Sequence, residues 1–455
     1  MSLLSILLPL LLTTVLTTTS ATTIIGVNFG RVANNLPTPT ETATFLTTQT
    51  TFTHLKLFDS DPTILSAFAN TNVSLTINIP NSDIVGLTQL SSAQSFVDSS
   101  IIPHLPGTVI KYVAVGNEVH FSGDNNLILN TVPAMRNLHQ VLQSNSLTKG
   151  IKVTTPHSLA ILPPLMSPSS GRFHPEYEKT FFTPLLQFHR ETKSPFMVNP
   201  YPYFGFKPTD LNFALGNKNK GILDRGTKLR YYSMFDYLLD GVYSAMKRLG
   251  YEDVEINVGE TGWPAAGDAN EPFANWDNAV AYNGNLVKRL REGKGTPLMP
   301  NKTFETYIFA LFNENLKPST SERNYGLFRP DFSPVYNVGV LKTGQTGGPA
   351  ASTRPVPVAP SPSTSKGQKW CVAKPDATDV VLQGNLDYVC SKGIDCKPIQ
   401  DGGSCFQPNT VRGHASYAMN AYYHINGQHD SDCYFDGSGL VTYNNPSYEA
   451  CDYVA

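Results

Sequence analysis

Eight short runs rich in Val, Ile, Leu and Phe recur through the first 312 residues, and longer segments of helical character separate them. The runs fall at 24–28, 54–58, 73–79, 110–115, 151–155, 196–199, 254–258 and 307–312, and their length and bounding residues mark them as buried strands. An intervening piece such as 232–249 (YSMFDYLLDGVYSAMKRL) carries apolar side chains at three- and four-residue spacing, and Gly250 follows as a stop. Eight strand–helix units in one α/β region predict a (β/α)8 TIM barrel rather than an open doubly wound sheet. The glycine-rich dinucleotide fingerprint that would favour the open sheet does not follow the first run.

In such a barrel, chemistry sits at the C-terminal ends of the strands. The residues found there are Asn28-Phe29-Gly30, Asp59, Gly116-Asn117-Glu118, Asn199-Pro200-Tyr201, Gly259-Glu260 and Asn313-Glu314. Glu118 and Glu260 follow the fourth and seventh runs, so both would project into one mouth from opposite sides. A pair of facing carboxylates suits glycosidic bond cleavage: a protonated one serves the leaving oxygen, and an ionised one attacks or stabilises the anomeric carbon. Taken singly, a glutamate at a strand rim is more often a surface residue or an ion-pair partner. Asn117 can reach a sugar hydroxyl or the second carboxylate, and Tyr201 can orient that carboxylate; the bland reading of both is a structural hydrogen bond at a strand end, an equal alternative for Tyr201.

The charge balance excludes other classes. Lys and Arg number 34 against 36 Asp and Glu, a formal net charge of -2, and only 15% of residues are charged. No basic stripe is available to neutralise phosphates, so nucleic acid is not an expected partner. No cofactor or metal is implied, and a monomer is expected.

All six cysteines, Cys371, Cys390, Cys396, Cys405, Cys433 and Cys451, lie in the last fifth of the chain. No C-x-x-C pair is present, so a disulfide-stapled module is favoured over zinc, with fifteen pairings possible from sequence. Residues 1–21 read as a secretory signal, although no Lys or Arg precedes the apolar run, and Asn72 and Asn301 head N-x-S/T sequons. An extracellular, cell-wall location follows, with no lipid anchor expected because the chain stops without a hydrophobic tail. Residues 343–368, rich in Pro, Ser, Thr, Gly and Ala, read as an extended linker between a large domain, 24–342, and a Cys-rich one, 369–455.

The strings VGNEV at 115–119, VGETGWP at 258–264, IGVNFG at 25–30, NPYPYF at 199–204, LFNENLKP at 311–318 and SERNYGLF at 321–328 resemble glycoside hydrolase family 17, the plant β-1,3-glucanases. The resemblance implies Glu118 as proton donor and Glu260 as nucleophile of a retaining endo-hydrolase of β-1,3-glucan. It also implies Asn117, Tyr201, Glu314, Lys317 and Glu322 as supporting residues. From their loops, Asn28, Tyr203, Phe204, Trp263 and Tyr325 are candidates for contact with glucose units, whose CH faces match aromatic rings. Phe29 and Phe58 stand where the family commonly has Tyr, and Asn313 where Asp is frequent. The alternative functions are a transglycosylase on the same barrel or a non-catalytic glucan-binding wall protein, since hydrolysis and transfer share the glycosyl-enzyme.

WCVAKP at 370–375, CFQPNT at 405–410 and HASYAMNAYY at 414–423 resemble the family 43 carbohydrate-binding module. That resemblance implies the pairs Cys371–Cys433, Cys390–Cys396 and Cys405–Cys451. In its helical segment Tyr417, Ala418, Ala421 and Tyr422 are the expected buried face, leaving Tyr423, Tyr434 or Tyr443 to stack on glucan.

Overall fold

The computed structural model describes residues 23–345 and 369–454, apart from 269, 375–376, 408, 429, 436–437, 443–444 and 449–450. The signal segment, nearly all of the linker and Tyr443 therefore lie outside the described residues. The chain falls into two compact units, divided between residues 354 and 355.

The first unit is built on strands β1 (Ile25–Phe29), β2 (His54–Leu57), β3 (Ser74–Ile79), β4 (Val109–Val115), β5 (Lys152–Thr154), β6 (Pro156–Ser158) and β7 (Phe196–Asn199). After a small antiparallel hairpin of β8 (Ile222–Leu223) and β9 (Arg230–Tyr231) come β10 (Ile256–Thr261) and β11 (Thr306–Ile308). The nine barrel strands run in the order β5-β4-β3-β2-β1-β11-β10-β7-β6, every pairing parallel. Only Thr155 separates β5 from β6, and β5 pairs with β4 while β6 pairs with β7. The two are one stave with a break in its middle, so the ring has the eight staves of a TIM barrel.

The helices follow from pattern and caps. The helix Met234–Arg248 buries Met234, Phe235, Leu238, Leu239, Val242, Ala245 and Met246, one face at helical spacing. Its chain reverses through Gly250 at φ 82°, a conformation that suits glycine. Thr38 and Glu41 form a capping box on Pro39–Gln49, and Asp124 caps the twenty-residue helix Asn125–Ser144. Truncating a fully buried side chain of this core, such as Leu239→Ala, removes about 2–5 kcal/mol. Glu305 accepts hydrogen bonds from Lys111 at 2.7 Å, Tyr112 at 3.2 Å and Tyr307 at 2.8 Å, which satisfies a carboxylate immediately preceding β11.

Three expected strands shift. The run at 254–258 becomes β10 at Ile256–Thr261, so Glu260 sits within a strand rather than after it. The run at 151–155 breaks at Thr155. The run at 307–312 keeps regular strand form only to Ile308: beyond it Phe309 N–H still donates to Thr261 O and Leu311 N–H to Asn28 O, both at 2.8 Å, while Ala310 O and Leu311 O accept from Leu327 N–H at 2.8 Å and Phe328 N–H at 2.9 Å, so the backbone is shared between the neighbouring staves and 325–328. Apolarity persists there because Phe309 and Phe312 are buried in aromatic contacts.

The second unit pairs β12 (Trp370–Ala373) antiparallel with β13 (Gly439–Thr442) and packs both with helices Asp379–Ser391 and Val411–Ile425. Disulfides join Cys371 to Cys433, Cys390 to Cys396 and Cys405 to Cys451, the same pairs that the resemblance implies. The buried face of Val411–Ile425 is Ala415, Ala418, Met419, Asn420 and Tyr423. This corrects the expectation for Tyr423, which is fully buried, whereas Tyr417 and Tyr422 are only half-buried. Tyr434 is exposed, as are both sequon residues, Asn72 and Asn301. Among the described residues no helix is long and apolar enough to cross a membrane.

Candidate active site

Glu118 is held by its backbone as much as by its side chain. At the end of β4, Gly116 (φ 71°) and Glu118 (φ 51°) both adopt left-handed conformations. For a glutamate this costs on the order of 1 kcal/mol, and tertiary contacts must hold it. Those contacts are present: Glu118 N–H donates to Pro156 O at 2.9 Å, reaching the broken stave. Asn117 N–H donates to Asn81 Oδ1 at 2.8 Å while Asn81 Nδ2 donates back to Asn117 O at 3.2 Å. The Asn117 side-chain oxygen is buried without a partner.

The Glu118 carboxyl accepts a hydrogen bond from Asn199 Nδ2 at 2.8 Å. Burial, and next the charge of Glu260, push it up to about 7, against the opposing pull of Asn199 and the Lys56 ammonium. It is therefore a carboxyl that keeps its proton in mildly acidic solution.

Glu260 is engaged at both oxygens. Lys56 Nζ lies 3.0 Å from Oε1, and the Tyr201 hydroxyl donates to Oε2 at 3.0 Å. Lys56 is wholly buried, with its ammonium 4.0 Å above the Phe58 ring. The Tyr201 hydroxyl is held well above its ordinary range by burial and by Glu260, so it remains a donor. Asn28, also buried, donates to Gly259 O at 2.9 Å and fixes the backbone just before the carboxylate. One buried carboxyl biased toward the acid form and one carboxylate paired with a cation are the division of labour that acid and nucleophile require.

Glu314 is buried beside this pair. It accepts Val32 N–H at 2.8 Å, and burial raises its carboxyl while the Lys317 charge opposes. Glycine at position 30 allows the approach, since any Cβ there would collide with the Glu314 carboxylate. Lys317 stands over the Phe309 ring at 5.7 Å. Glu322 is exposed and acts on Glu314 only through its charge.

The aromatic candidates divide. Phe204 is 71% exposed, and Tyr203 is half-buried with its hydroxyl donating to Glu271 at 3.3 Å. Trp263 has no exposure and donates Nε1–H to Phe273 O at 2.8 Å, so in place of stacking on sugar it supports Tyr203, whose ring meets it edge-on at 5.2 Å. Tyr325 is likewise buried, packed against Tyr201 and Phe309. Phe29 meets Phe312 edge-on, and Asn313 Oδ1 accepts Gly326 N–H at 2.9 Å, so these departures have structural contacts of their own.

Lys56 was not among the expected site residues, and Asn199, placed at a strand end, was given no role. The signal for Lys56 is a lone charge within the otherwise buried run HLKL.

Residues 25–340 match glycosyl hydrolases family 17. The chain belongs to that family. Residues 369–440 of this family 17 hydrolase match the X8 domain. It is 49% identical to a glucan endo-1,3-beta-glucosidase of Triticum aestivum over 95% of each chain, and 43% identical to a glucan endo-1,3-beta-D-glucosidase of Olea europaea over 95% of this chain and 93% of that one. Among solved structures it resembles CJP38, a beta-1,3-glucanase and allergen of Cryptomeria japonica pollen, at 37% identity and a TM-score of 0.65. That match covers 70% of this chain and 99% of the other.

Proposed function

We propose that this family 17 hydrolase is a secreted endo-β-1,3-glucanase that cleaves internal linkages of callose- or laminarin-like glucan with retention at the anomeric carbon. The observation that carries the reading is the pairing of a Glu118 carboxyl pushed up to about 7 with a Glu260 carboxylate held by Lys56 and Tyr201. The relatives' names support the substrate class.

In the first step Glu260 attacks the anomeric carbon while Glu118 gives its proton to the departing glycosidic oxygen, leaving a glycosyl-enzyme ester. Glu118, now ionised, then takes a proton from water, whose oxygen displaces Glu260 and frees the reducing end. Lys56 and Tyr201 offset the charge on Glu260 in the resting enzyme and receive it again when the ester breaks. Asn199 keeps the Glu118 carboxyl oriented.

We divide the chain into a leader at 1–21, a catalytic barrel at 24–342, a spacer at 343–368 and a glucan-binding module at 369–455. Tethering binder to catalyst raises the local concentration of enzyme on an insoluble polymer. The test is incubation of the purified protein with laminarin, reading reducing ends and product lengths. Short oligomers that vanish in Glu260→Ala support hydrolysis. Products longer than the substrate point to transfer, and binding without turnover overturns both enzymatic readings.

A further inference from the structure

The staves β7 and β11 flank β10, which carries Glu260, and one carboxylate ties together the loops that follow these three strands. Glu271 lies in the loop after β10. Its Oε1 accepts the Ser321 hydroxyl at 2.6 Å and the Tyr203 hydroxyl at 3.3 Å, and its Oε2 accepts Asp268 N–H at 3.0 Å. Tyr203 belongs to the loop after β7, Ser321 to the loop after β11 and Asp268 to the loop of Glu271 itself. An ionised carboxylate only accepts, and here it meets a donor from each of the three loops.

The loops after β10 and β11 are joined at further points. Asp268 accepts the Thr320 hydroxyl, Arg323 donates to Thr320 Oγ1 at 2.9 Å and to Lys317 O at 3.0 Å, and Ala265 N–H donates to Asn324 O at 2.8 Å. These two loops therefore form a base to which the Tyr203 hydroxyl anchors the loop after β7. The backbone is shaped around the carboxylate: a Cβ on Gly267 would come within 2.9 Å of Glu271 Cβ and 2.5 Å of Ala274 Cβ. Burial, and next the Glu271 charge, push the Tyr203 hydroxyl up to about 12, so it remains a donor in neutral and acidic solution.

The anchored segment borders the nucleophile. Tyr203 precedes Phe204, whose exposed ring stands 5.6 Å from the ring of Tyr201, the residue that donates to Glu260. Residues 202–204 form a single 3-10 turn, too short to hold its own position, so the place of this rim depends on what Tyr203 touches.

We propose that Glu271 is a positioning residue: through Tyr203 and Ser321 it clamps the three loops on the nucleophile's side of the mouth and holds the rim at 202–204 in place, so that it sets how tightly glucan is bound rather than how fast the bond is cleaved. The proposal rests on the reading of this chain as a β-1,3-glucanase. Glu271→Ala, Tyr203→Phe and the double variant of the full chain test it on laminarihexaose, with thermal melting to confirm folding. Glu271→Ala is expected to raise KM about tenfold and Tyr203→Phe about threefold, with kcat within about twofold of native in both. Because the carboxylate acts through the tyrosine, the double variant is expected to be no worse than Glu271→Ala. Glu271→Gln keeps an oxygen for the two hydroxyls and is expected to recover much of the lost affinity. An unchanged KM in Tyr203→Phe, a fall in kcat that matches or exceeds the rise in KM, or effects that multiply in the double variant would overturn the clamp. Tyr203→Phe keeps the ring and the carboxylate, so it carries the test even if Glu271→Ala does not fold. A native protein that leaves laminarihexaose intact overturns the glucanase reading instead.

Discussion

Replacing Lys56 with Met tests the electrostatics of the site most sharply, because the side chain keeps its length and loses only its charge. Two unit charges at the observed 3.0 Å attract by about 5.5 kcal/mol at an effective dielectric of about 20. Much of that offsets the cost of burying both groups. The measurable quantity is the loss on removing one partner of a buried pair, about 3–5 kcal/mol. Lys56 is wholly buried and Glu260 nearly so, which leaves little water to take over the role of the cation. If about 3 kcal/mol of this bears on the glycosylation step, kcat/KM falls by about 10²-fold. The assay is hydrolysis of laminari-oligosaccharides alongside a laminaribioside bearing a dinitrophenyl leaving group, with circular dichroism to confirm folding. The defect acts on the nucleophile, so it persists with the activated leaving group, whereas the defect of Glu118→Gln largely disappears there. Lys56→Arg restores most of the rate. A folded Lys56→Met protein within about twofold of native kcat/KM would refute the reasoning.

Glu118 must be protonated to donate and is pushed up to about 7, so kcat/KM should hold below that pH and decline above it; a pH–rate profile that stays flat through pH 8 would contradict the assignment. Tyr201→Phe removes a hydrogen bond to a carboxylate worth about 1.5–3 kcal/mol and should slow turnover about 10- to 100-fold with the fold intact, as measured by kcat and thermal melting. Replacing Cys371 and Cys433 with Ser opens a loop of sequence separation 62 and should cost the second unit about 2–5 kcal/mol. The barrel contains no cysteine, so retention on insoluble glucan should fall while soluble laminarin is still hydrolysed, and equal loss of both would argue against independent units.

The barrel was legible because its strands are buried on both faces and read as continuous apolar runs. Where the reading slipped, burial and pairing had parted company. Residues 309–312 are apolar because they pack among rings, yet their backbone divides its bonds between the neighbouring staves and 325–328 rather than continuing a regular ladder. Glu118 and Glu260 were visible as carboxylates breaking apolar runs. Lys56 stands out only as a lone charge in HLKL, and its role could not be read because its partner lies 204 residues away and only closure of the barrel brings them together. Trp263 carried an opposite error: a large ring on a loop beside the nucleophile suggests a sugar platform, but its indole N–H is satisfied by the Phe273 carbonyl and its faces are covered. In the second unit, the small tyrosine-rich helix Val411–Ile425 has several plausible faces, and the disulfide-linked packing around it makes Tyr423 the buried one.

The central claim is that Glu260 forms a covalent bond to the glucan. Incubation with a 2-deoxy-2-fluoro laminaribioside bearing an activated leaving group, followed by mass spectrometry of proteolytic peptides, tests it directly. A single fluoroglycosyl adduct on Glu260, formed with loss of activity, is the expected result. An adduct on Glu118 or Glu314, or steady turnover to the inverted anomer with no adduct, would contradict it.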